Sequence, residues 1–338
     1  MIKFSIIISV YNGEVYIKRA MDSVLEQDYL NFELIIVDDG STDKTFDIIN
    51  IIKDNRVKLL RKKNSGVSDS RNCALNLVSG DWILFLDADD WLEKNTLTRL
   101  KELLEKHEID FIFSNLYESN NTESKKMYNI SLDQLMTNDL SKIKKHIISL
   151  EYSKIKYGTE LGNCRCIGGK LYKSKIIKEN NIKFPVGIET FEDGIFNLKY
   201  IKHCENAYFL SDPFYHYFYN ENSVTHTYKK NQFDQIKKIM KELQDITEKN
   251  ESDNFILSYT ALEFYCRLIN CTVRLDGRKE AIRNIKTFYF YLKNYLIKIK
   301  GNITLKNRLL LLFSKYNLFK LIYYLYFMKS NKLSVKLK

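Results

Sequence analysis

The sequence has 338 residues, of which 45% are hydrophobic and 28% are charged, and this size and composition suit a globular protein with one large core or two smaller ones. Its six cysteines are scattered and form no Cys-x-x-Cys pair, which argues against a cysteine metal site. An apolar, strand-like run begins directly after Met1–Lys3, so we expect no signal peptide and a reducing, cytoplasmic location.

The net charge of +11 is concentrated at the end of the chain. From Ala281 to Lys338 there are thirteen Lys and Arg residues and no Asp or Glu, so the first 280 residues sum to about −2. The basic character therefore belongs to the tail and does not indicate what the N-terminal part binds. We expect no nucleic-acid partner.

The first 115 residues alternate between short apolar runs and amphipathic stretches, a pattern typical of alternating strands and helices. The predicted strands are Phe4–Val10, Phe32–Val37, Val57–Leu60, Trp82–Leu86 and Asp110–Ser114. The predicted helices are Val15–Glu26, Asp43–Lys53, Ser68–Val78 and Thr96–Lys106. Because these strands are almost continuously apolar, we expect an α/β fold whose parallel sheet is covered by helices on both faces. Ligands bind such sheets at the carboxyl ends of strands, here after Val10, Val37 and Leu86.

The pattern changes after residue 115. Glu118–Leu161 is polar and predicts an insertion, Lys170–Asn220 returns to ordered patterning, and residues 231–300 predict helices. The last segment, Leu305–Met328, is apolar and aromatic but broken by four cations, and its longest uncharged run, Leu321–Met328, is too short to cross a bilayer. We expect a basic amphipathic helix that lies on an anionic membrane surface, and the alternative is a helix that packs its apolar side on the protein.

Polar side chains follow the first two predicted strands. After the first strand, Tyr11 offers a flat ring that can stack on a base, and an ordinary turn is the alternative for this segment. The Gly-x-Gly-x-x-Gly pattern of dinucleotide-binding proteins is absent. After the second strand, the pair Asp38-Asp39 can accept hydrogen bonds from a uracil N–H or a ribose hydroxyl. Ser41 and Asp43 suit caps of the next helix, whereas nothing local requires a second acid at Asp39, which therefore predicts ligand contact.

Three carboxylates, Asp87, Asp89 and Asp90, stand within four residues directly after the fourth predicted strand. Crowding them together costs free energy unless a cation offsets their repulsion. Mg²⁺ or Mn²⁺ suits oxygen ligands of this kind and is commonly held by one or two carboxylates together with substrate phosphates. We therefore predict a divalent-metal site here, and a solvated acidic turn is the alternative.

Three further positions carry weaker signals. Arg71 follows a glycine-containing turn and would place a forked cation near the same sheet edge, either on a nucleotide or in a surface salt bridge. Glu192-Asp193 precedes a helix-like stretch, where acids are favoured in any protein, but a second carboxylate site is also what base-assisted transfer needs. His226 could ligate a metal, contact phosphate or serve a structural role.

Taken in order, these segments resemble the family 2 glycosyltransferases of the GT-A fold. The matching segments are Ser9–Asn12, Val37–Asp43, Gly66–Asn72, Leu86–Asp90 and Glu192-Asp193. Five moderately specific motifs in the right order and spacing are hard to obtain by chance. The resemblance implies a GT-A catalytic domain with a Rossmann-like mixed sheet over residues 1–228, with its nucleotide-sugar half at 1–115 and its acceptor half at 116–228. A mainly helical region would follow at 229–338.

The resemblance also implies roles for individual residues. The nucleotide, usually uridine, would be held by Tyr11, Asp39, Arg71 and Asp87. The Asp-x-Asp element would be Asp87 and Asp89, with Asp89 as the main ligand of Mn²⁺ or Mg²⁺. The further metal ligands would be Asp90 and His226.

On the acceptor side, the resemblance makes Asp193 the general base and Glu192 its neighbour. Many relatives carry an Arg five residues before the Ser of the last motif, and this chain has Phe218 in that place. The cation that clamps the donor diphosphate would then be His226 or another residue.

The predicted function is inverting, metal-dependent transfer of one sugar from a nucleotide diphosphate donor, expected to be a UDP-sugar, to a hydroxyl of a glycan or lipid-linked acceptor. The Gln-x-x-Arg-Trp element of processive relatives is absent, which favours single additions. We expect a role in capsule, lipopolysaccharide or exopolysaccharide synthesis, in the cytoplasm or peripherally at the inner face of the plasma membrane. The alternatives are a nucleotidyltransferase and a non-catalytic scaffold that binds sugar nucleotides.

Overall fold

The computed structural model describes residues 1–127, 134–137, 140–148, 165–219, 231–248, 251–299 and 303–335. The chain divides into two compact units. Unit 1 comprises residues 1–147 and 159–223, and unit 2 comprises residues 148–158 and 224–338. The predicted division at residue 228, and the two halves of the catalytic domain, stay predictions.

Unit 1 is an α/β structure. Its strands are β1 Phe4–Val10, β2 Phe32–Asp38, β3 Val57–Arg61, β4 Trp82–Asp87, β5 Trp91–Leu92, β6 Phe111–Ser114, β7 Tyr117–Ser119, β8 Ser124–Lys126, β9 Gln134–Thr137, β10 Lys170–Lys173, β11 Asn206–Leu210 and β12 Tyr215–Phe218. The helices that begin in it are α1 Ile17–Leu25, α2 Thr45–Asn50, α3 Val67–Leu75, α4 Thr96–Lys106, α5 Ser141–Ile148, α6 Ser174–Glu179 and α7 Glu192–Ile201.

The larger sheet has the strand order β3-β2-β1-β4-β10-β6-β11-β9. The first four of these strands run parallel, with Ile7 opposite both Ile35 and Phe85. The predicted parallel arrangement holds for them, but β10 lies antiparallel between β4 and β6, with Leu171 opposite Leu84 and Ile112. The chain thus returns after residue 170 to complete the sheet, and this makes the sheet mixed.

Helices cover the parallel strands because both partners are apolar at the right period. Every residue of β2 is buried, as expected for a strand covered on both faces. On α1, the buried residues Ile17, Ala20, Met21 and Val24 recur at helical spacing and join the same core. Burial of each larger side chain contributes roughly 1.5–3 kcal/mol.

A second, four-stranded sheet was not predicted. Its order is β5-β12-β7-β8, and β12 pairs antiparallel with β5 and parallel with β7. Its strands are two to four residues long, too short to show a hydrophobic period of their own. This sheet matters for the site because β5 follows β4 after only three residues.

Unit 2 is helical in the part that the structure describes, which confirms the helices predicted between residues 231 and 300. Its helices are α8 Gln232–Ile246, α9 Glu251–Leu275, α10 Arg278–Leu296, α11 Leu305–Lys315 and α12 Phe319–Val335. No helix within the described ranges is both long and apolar enough to cross a membrane.

The single helix predicted over Leu305–Met328 is wrong, because two helices occupy this segment. Asn317 takes a left-handed conformation with φ 57° after α11. The N–H of Leu318 donates to the carbonyl of Phe313 at 2.7 Å, and that of Asn317 donates to Ser314 at 3.1 Å. This pair of bonds is a Schellman motif, which ends α11 and starts a new helix direction.

A buried carboxylate fastens β2 to the segment before β4. Glu33 accepts hydrogen bonds from the hydroxyl of Ser5 at 2.6 Å and from the N–H and hydroxyl of Ser79, both at 2.7 Å. Lys58 forms an ion pair with it at 2.8 Å. Burial alone would raise the pKa of Glu33, but the hydrogen bonds from Lys58, Ser5 and Ser79 outweigh burial and lower this pKa to about 2.

We expect Glu33→Gln to lower the free energy of unfolding at pH 7 by about 2 kcal/mol, because an amide cannot accept all of these bonds. The pKa of Glu33 is lower in the folded state than in the unfolded state, so its contribution is full above about pH 4.5 and is lost as pH falls towards 2. Urea unfolding at pH 7 and pH 3 measures the difference from wild type, which should shrink at pH 3.

The control is Glu105→Gln, which removes a surface pair with Lys101 on α4. It should change stability by less than about 0.5 kcal/mol. An equal loss at both pH values for Glu33→Gln would contradict the assignment.

Candidate active site

The carboxyl ends of β1, β2 and β4 lie at one edge of the larger sheet, as predicted. Val10 is opposite Asp38, and Ser9 is opposite Asp87. The segments that follow these strands therefore start side by side. They carry Tyr11, Asp39, and the acidic run Asp87–Asp90.

Hydrogen bonds join the segments after β1 and β2. Asn12, with φ 52°, donates its N–H to the hydroxyl of Ser41 at 3.0 Å and accepts the N–H of Thr42 at 2.8 Å. Asp43 accepts the N–H of Thr45 at the start of α2, as a cap would, whereas Ser41 bonds Asn12 rather than the helix. The side chain of Tyr11 is left exposed, so its ring is accessible to a ligand.

Asp39 is buried and already has protein partners. One oxygen accepts from the Lys62 ammonium and from the N–H of Ser65 at 3.0 Å, and the other accepts from the N–H of Gly66 at 2.8 Å. Gly66 has φ 95°, which a residue with a side chain rarely adopts. Asp39 thus orders the turn before α3, a local requirement that the sequence did not reveal. Its contact with a nucleotide stays a prediction.

Arg71 on α3 is a buried cation, only 4% exposed, so the alternative of a surface salt bridge is wrong. Its Nη1 donates to Asp193 Oδ1 at 2.6 Å, and its Nη2 donates to Asp87 Oδ1 at 2.8 Å. Glu192 lies 3.6 Å from the same Nη1. The two arms of one guanidinium therefore connect the acid at the end of β4 with the acid pair at the start of α7.

The acid pair Glu192-Asp193 occupies the first turn of α7, where the helix dipole favours negative charge. Asp193 Oδ2 accepts the N–H of Ile167 at 2.9 Å. Burial raises the pKa of Asp193, and the charge of Arg71 limits that rise. Burial, and next the charge of Asp193, raise the pKa of Glu192 to about 8. A carboxylate with a raised pKa is a stronger base than a solvated one.

The residue before this pair is strained. Phe191 has φ 73°, an uncommon conformation for a bulky side chain. Such strain persists only where the surrounding structure fixes it, and it is enriched at functional sites.

Asp90 is 2% exposed, and both of its oxygens have partners. Oδ1 accepts the N–H of Phe218 at 2.8 Å, and Oδ2 accepts the hydroxyl of Tyr215 at 2.6 Å. The Tyr215 oxygen in turn accepts the N–H of Asp87 at 3.1 Å. Asp90 thus fastens β12 to the end of β4. These contacts do not test the predicted share of Asp90 in metal binding. They show that each of its two carboxylate oxygens has a protein partner.

The remaining two acids have the chemistry that a divalent cation needs. Only Oδ1 of Asp87 is bonded to Arg71, and the side chain of Asp87 is half-exposed. Burial and the charge of Asp87 raise the pKa of Asp89 to about 6, so Asp89 lies in a region of excess negative charge. Among the described residues, no group of three or more His, Cys, Asp or Glu side chains could hold a metal alone. The pair therefore fits an ion that completes its shell with substrate phosphates. His226 lies outside the described residues.

The profile of the Glycosyl transferase family 2 matches residues 5–179, more than half of the chain and a range that includes Tyr11, Asp39, Arg71 and the acidic run. The chain belongs to this family. The resemblance drawn from the motifs is confirmed.

Two relatives, GlyA and TarS, are much longer than this chain. Glycosyltransferase GlyA of Streptococcus pneumoniae serotype 4 is 30% identical over 228 residues, which cover 66% of this chain and 31% of GlyA. Poly(ribitol-phosphate) β-N-acetylglucosaminyltransferase TarS of Staphylococcus aureus is 29% identical over 222 residues, or 64% of this chain and 35% of TarS. The chain thus spans about a third of the length of these two proteins.

A solved structure extends the likeness to the whole fold. The crystal structure of S. aureus TarS residues 1–349 in complex with UDP-GlcNAc has a TM-score of 0.70 and 22% sequence identity, and the match covers 98% of this chain and 92% of that one. The predicted GT-A fold with a helical C-terminal region is confirmed.

Two residues that contact the acidic run were not found from the sequence. Arg19 on α1 donates from Nη2 to the carbonyl of Asp89 at 2.5 Å, and its guanidinium lies 3.9 Å from the ring centroid of Trp91 and 4.5 Å from that of Phe218. Tyr215 binds Asp90 and Asp87 as described above. Neither Arg19 nor Tyr215 stands in one of the matching motifs, so only the folded structure shows that they lie beside the acids.

A glycine makes room for Tyr215. A Cβ atom on Gly168 would lie 2.7 Å from the Tyr215 ring, closer than real contacts allow. Gly168 therefore packs directly against the residue that contacts Asp87 and Asp90.

We expect Tyr215→Phe to lower the free energy of unfolding by about 1–2 kcal/mol, because it leaves a buried carboxylate oxygen of Asp90 without its donor. Chemical unfolding monitored by circular dichroism measures this. Tyr316→Phe, at an exposed tyrosine, is the matched control and should change stability little. Equal stability of Tyr215→Phe and wild type would show that the hydroxyl does not hold the acidic run.

Proposed function

We propose that the protein transfers one sugar from a nucleotide diphosphate donor to an acceptor hydroxyl, with inversion and with Mn²⁺ or Mg²⁺. The observation that carries the proposal is the ion-paired bridge from Asp87 through Arg71 to Asp193. It sets an acid of the predicted donor site a fixed distance from the predicted base. A transferase that attacks in line needs these two groups on either side of the reacting carbon.

Each residue has a part in the proposed reaction. Tyr11 stacks on the base of the donor, and Asp87 and Asp89 hold the end of the donor that carries the diphosphate. The divalent ion, when bound there, offsets the charge that develops on the leaving diphosphate. Asp193 accepts the proton of the acceptor hydroxyl. The oxygen of that hydroxyl bonds to the anomeric carbon as the bond between this carbon and the diphosphate oxygen breaks.

The pKa shifts suit these roles. Burial raises the pKa of Asp193 and so strengthens it as a base, while the positive charge of Arg71 opposes that rise and favours the ionised form. Glu192, with a pKa of about 8, remains protonated at neutral pH and can donate a hydrogen bond to the acceptor.

The names of the relatives support a UDP-sugar as the donor. TarS has been crystallised with UDP-GlcNAc, and WfaP of Escherichia coli is named a UDP-Glc:α-D-GlcNAc-diphosphoundecaprenol β-1,3-glucosyltransferase. WfaP is 41% identical over 114 residues, which cover 33% of this chain and 45% of WfaP. We propose the same donor class here, a glycan or lipid-linked acceptor, and a role in surface-polysaccharide synthesis.

The purified full chain should hydrolyse or transfer from one member of a panel of UDP-, GDP- and dTDP-sugars with Mn²⁺, and EDTA should abolish this. We expect Asp89→Ala to lose metal-dependent nucleotide binding in calorimetry as well as turnover. Asp193→Asn should lower the rate of transfer by about 10²–10⁴ and leave nucleotide affinity nearly unchanged.

Asp212→Asn is the matched control, because Asp212 is an exposed acid that pairs with Arg99 and Lys126. Nucleotide binding without turnover of any donor would favour the non-catalytic scaffold. Release of pyrophosphate from a nucleoside triphosphate would favour the nucleotidyltransferase.

We further propose that unit 2 rests on an anionic membrane surface from the cytoplasmic side. Leu310, Phe319 and Ile322 are buried within the unit, whereas Leu321 and Leu325 on α12 are exposed. One side of the tail thus packs inside unit 2 and another presents apolar groups among cations. Such a surface binds anionic bilayers through apolar burial and charge together.

The full chain should co-sediment with phosphatidylglycerol vesicles and not with phosphatidylcholine vesicles. Raising the ionic strength from about 0.1 M to about 1 M should weaken binding, because the Debye length falls from about 10 Å to about 3 Å. Leu321→Asp should weaken it as well, and Leu30→Asp, at an exposed leucine of unit 1, should not. Failure of the wild-type chain to sediment with either vesicle would sink the idea.

A further inference from the structure

Helices α10 and α11 line a cavity of about 650 Å³ within unit 2. Its inner wall includes the buried side chains Tyr289 and Leu296. Its mouth includes three large apolar side chains that water reaches, Phe290, Ile297 and Leu312, of which Ile297 is 64% exposed. The volume is that of a site for a small organic ligand, and the lining is mainly apolar.

Cations surround the apolar lining. Lys293, Arg308 and Lys315 line the cavity and are exposed. The sequence from Ala281 to the end contains no acid to neutralise them. Within the described part of the chain, none of the three forms an ion pair. Their charge is therefore available to an anion from outside the protein.

The apolar surface extends beyond the cavity. The exposed residues Leu305, Leu309 and Leu312 of α11 and its C-cap residue Tyr316 follow one another at steps of four, three and four, so they lie along one face of the helix. Exposed apolar side chains grouped in this way mark a surface that meets a partner or a lipid. Lys306, Arg308 and Lys315 lie on the same helix, so this surface favours a partner that is anionic as well as apolar.

We propose that this cavity takes up one acyl chain of an anionic membrane lipid, with the lipid phosphate held by Lys293, Arg308 and Lys315. The proposal rests on the membrane contact proposed above and gives it a specific site. An anionic membrane lipid carries an apolar chain and an anionic head group in one molecule, which matches the apolar lining and the cations beside it. A sugar nucleotide or a nucleic acid supplies the anion but no apolar chain to fill the cavity.

The first test compares two charge reversals on α10 in the full chain. Lys293→Glu removes a cation of the cavity, and Lys286→Glu makes the same change at an exposed lysine of the same helix that does not line it. We expect Lys293→Glu to weaken co-sedimentation with phosphatidylglycerol vesicles at least tenfold and Lys286→Glu to weaken it less than threefold. Equal weakening would overturn the cavity and leave general surface attraction.

The second test needs no vesicle. Dansyl-aminoundecanoic acid, a fluorescent anionic amphiphile, should bind the full chain at one saturable site with a blue shift of its emission. Ile297→Asp, at an exposed position, should weaken this binding at least tenfold, and Ile51→Asp in unit 1 should not. Absence of saturable binding overturns the proposal. Dimerisation that Ile297→Asp abolishes, without binding of the probe, would assign the face to a second copy of the chain and also overturn it.

The outcomes separate the proposals. Donor hydrolysis reports on the transferase activity alone, and sedimentation of the wild-type chain reports on membrane contact. Only the difference between Lys293→Glu and Lys286→Glu, together with probe binding, reports on the cavity.

Discussion

The candidate site depends on one buried guanidinium. Arg71 meets Asp87 and Asp193 with its two arms, so it fixes the end of β4 and the start of α7 relative to each other. A buried charge is tolerated only with partners, and the loss of one partner leaves the others uncompensated. A lysine could not replace this residue, because one ammonium group lacks two separate nitrogen donors held in a fixed plane, one for each acid. The geometry of the site is thus set by the shape of the cation as much as by its charge.

The three aspartates at and just after the end of β4 show how neighbouring residues with the same side chain come to have different surroundings. Asp90 is enclosed by Tyr215 and the backbone of β12. Asp87 bonds Arg71 through one oxygen and has a half-exposed side chain, whereas burial and the charge of Asp87 raise the pKa of Asp89. Their partners, rather than their order in the sequence, decide which of them hold the structure together and which can meet a ligand.

The sequence was sufficient where a structure is local. The bounds of β1 and α4 were predicted to the residue, because apolar periodicity reports burial of a single element. The insertion of β10 was not predicted, since it depends on which strand of many fills a gap in the sheet. The contact of Arg71 with Asp193 spans 122 residues, and no local pattern encodes such a distance. The partners of Asp39 were missed for the same reason, although they lie only 23 to 27 residues away.

The contact between Gly168 and Tyr215 has a consequence for how this protein can change over evolutionary time. A side chain at residue 168 would push the tyrosine ring, and with it the hydroxyl that holds Asp87 and Asp90. A larger residue at 168 is therefore open to the lineage only after position 215 has become smaller and the acidic run has found another anchor. The order of such substitutions is therefore constrained, because the residue at 168 limits which side chains position 215 can carry.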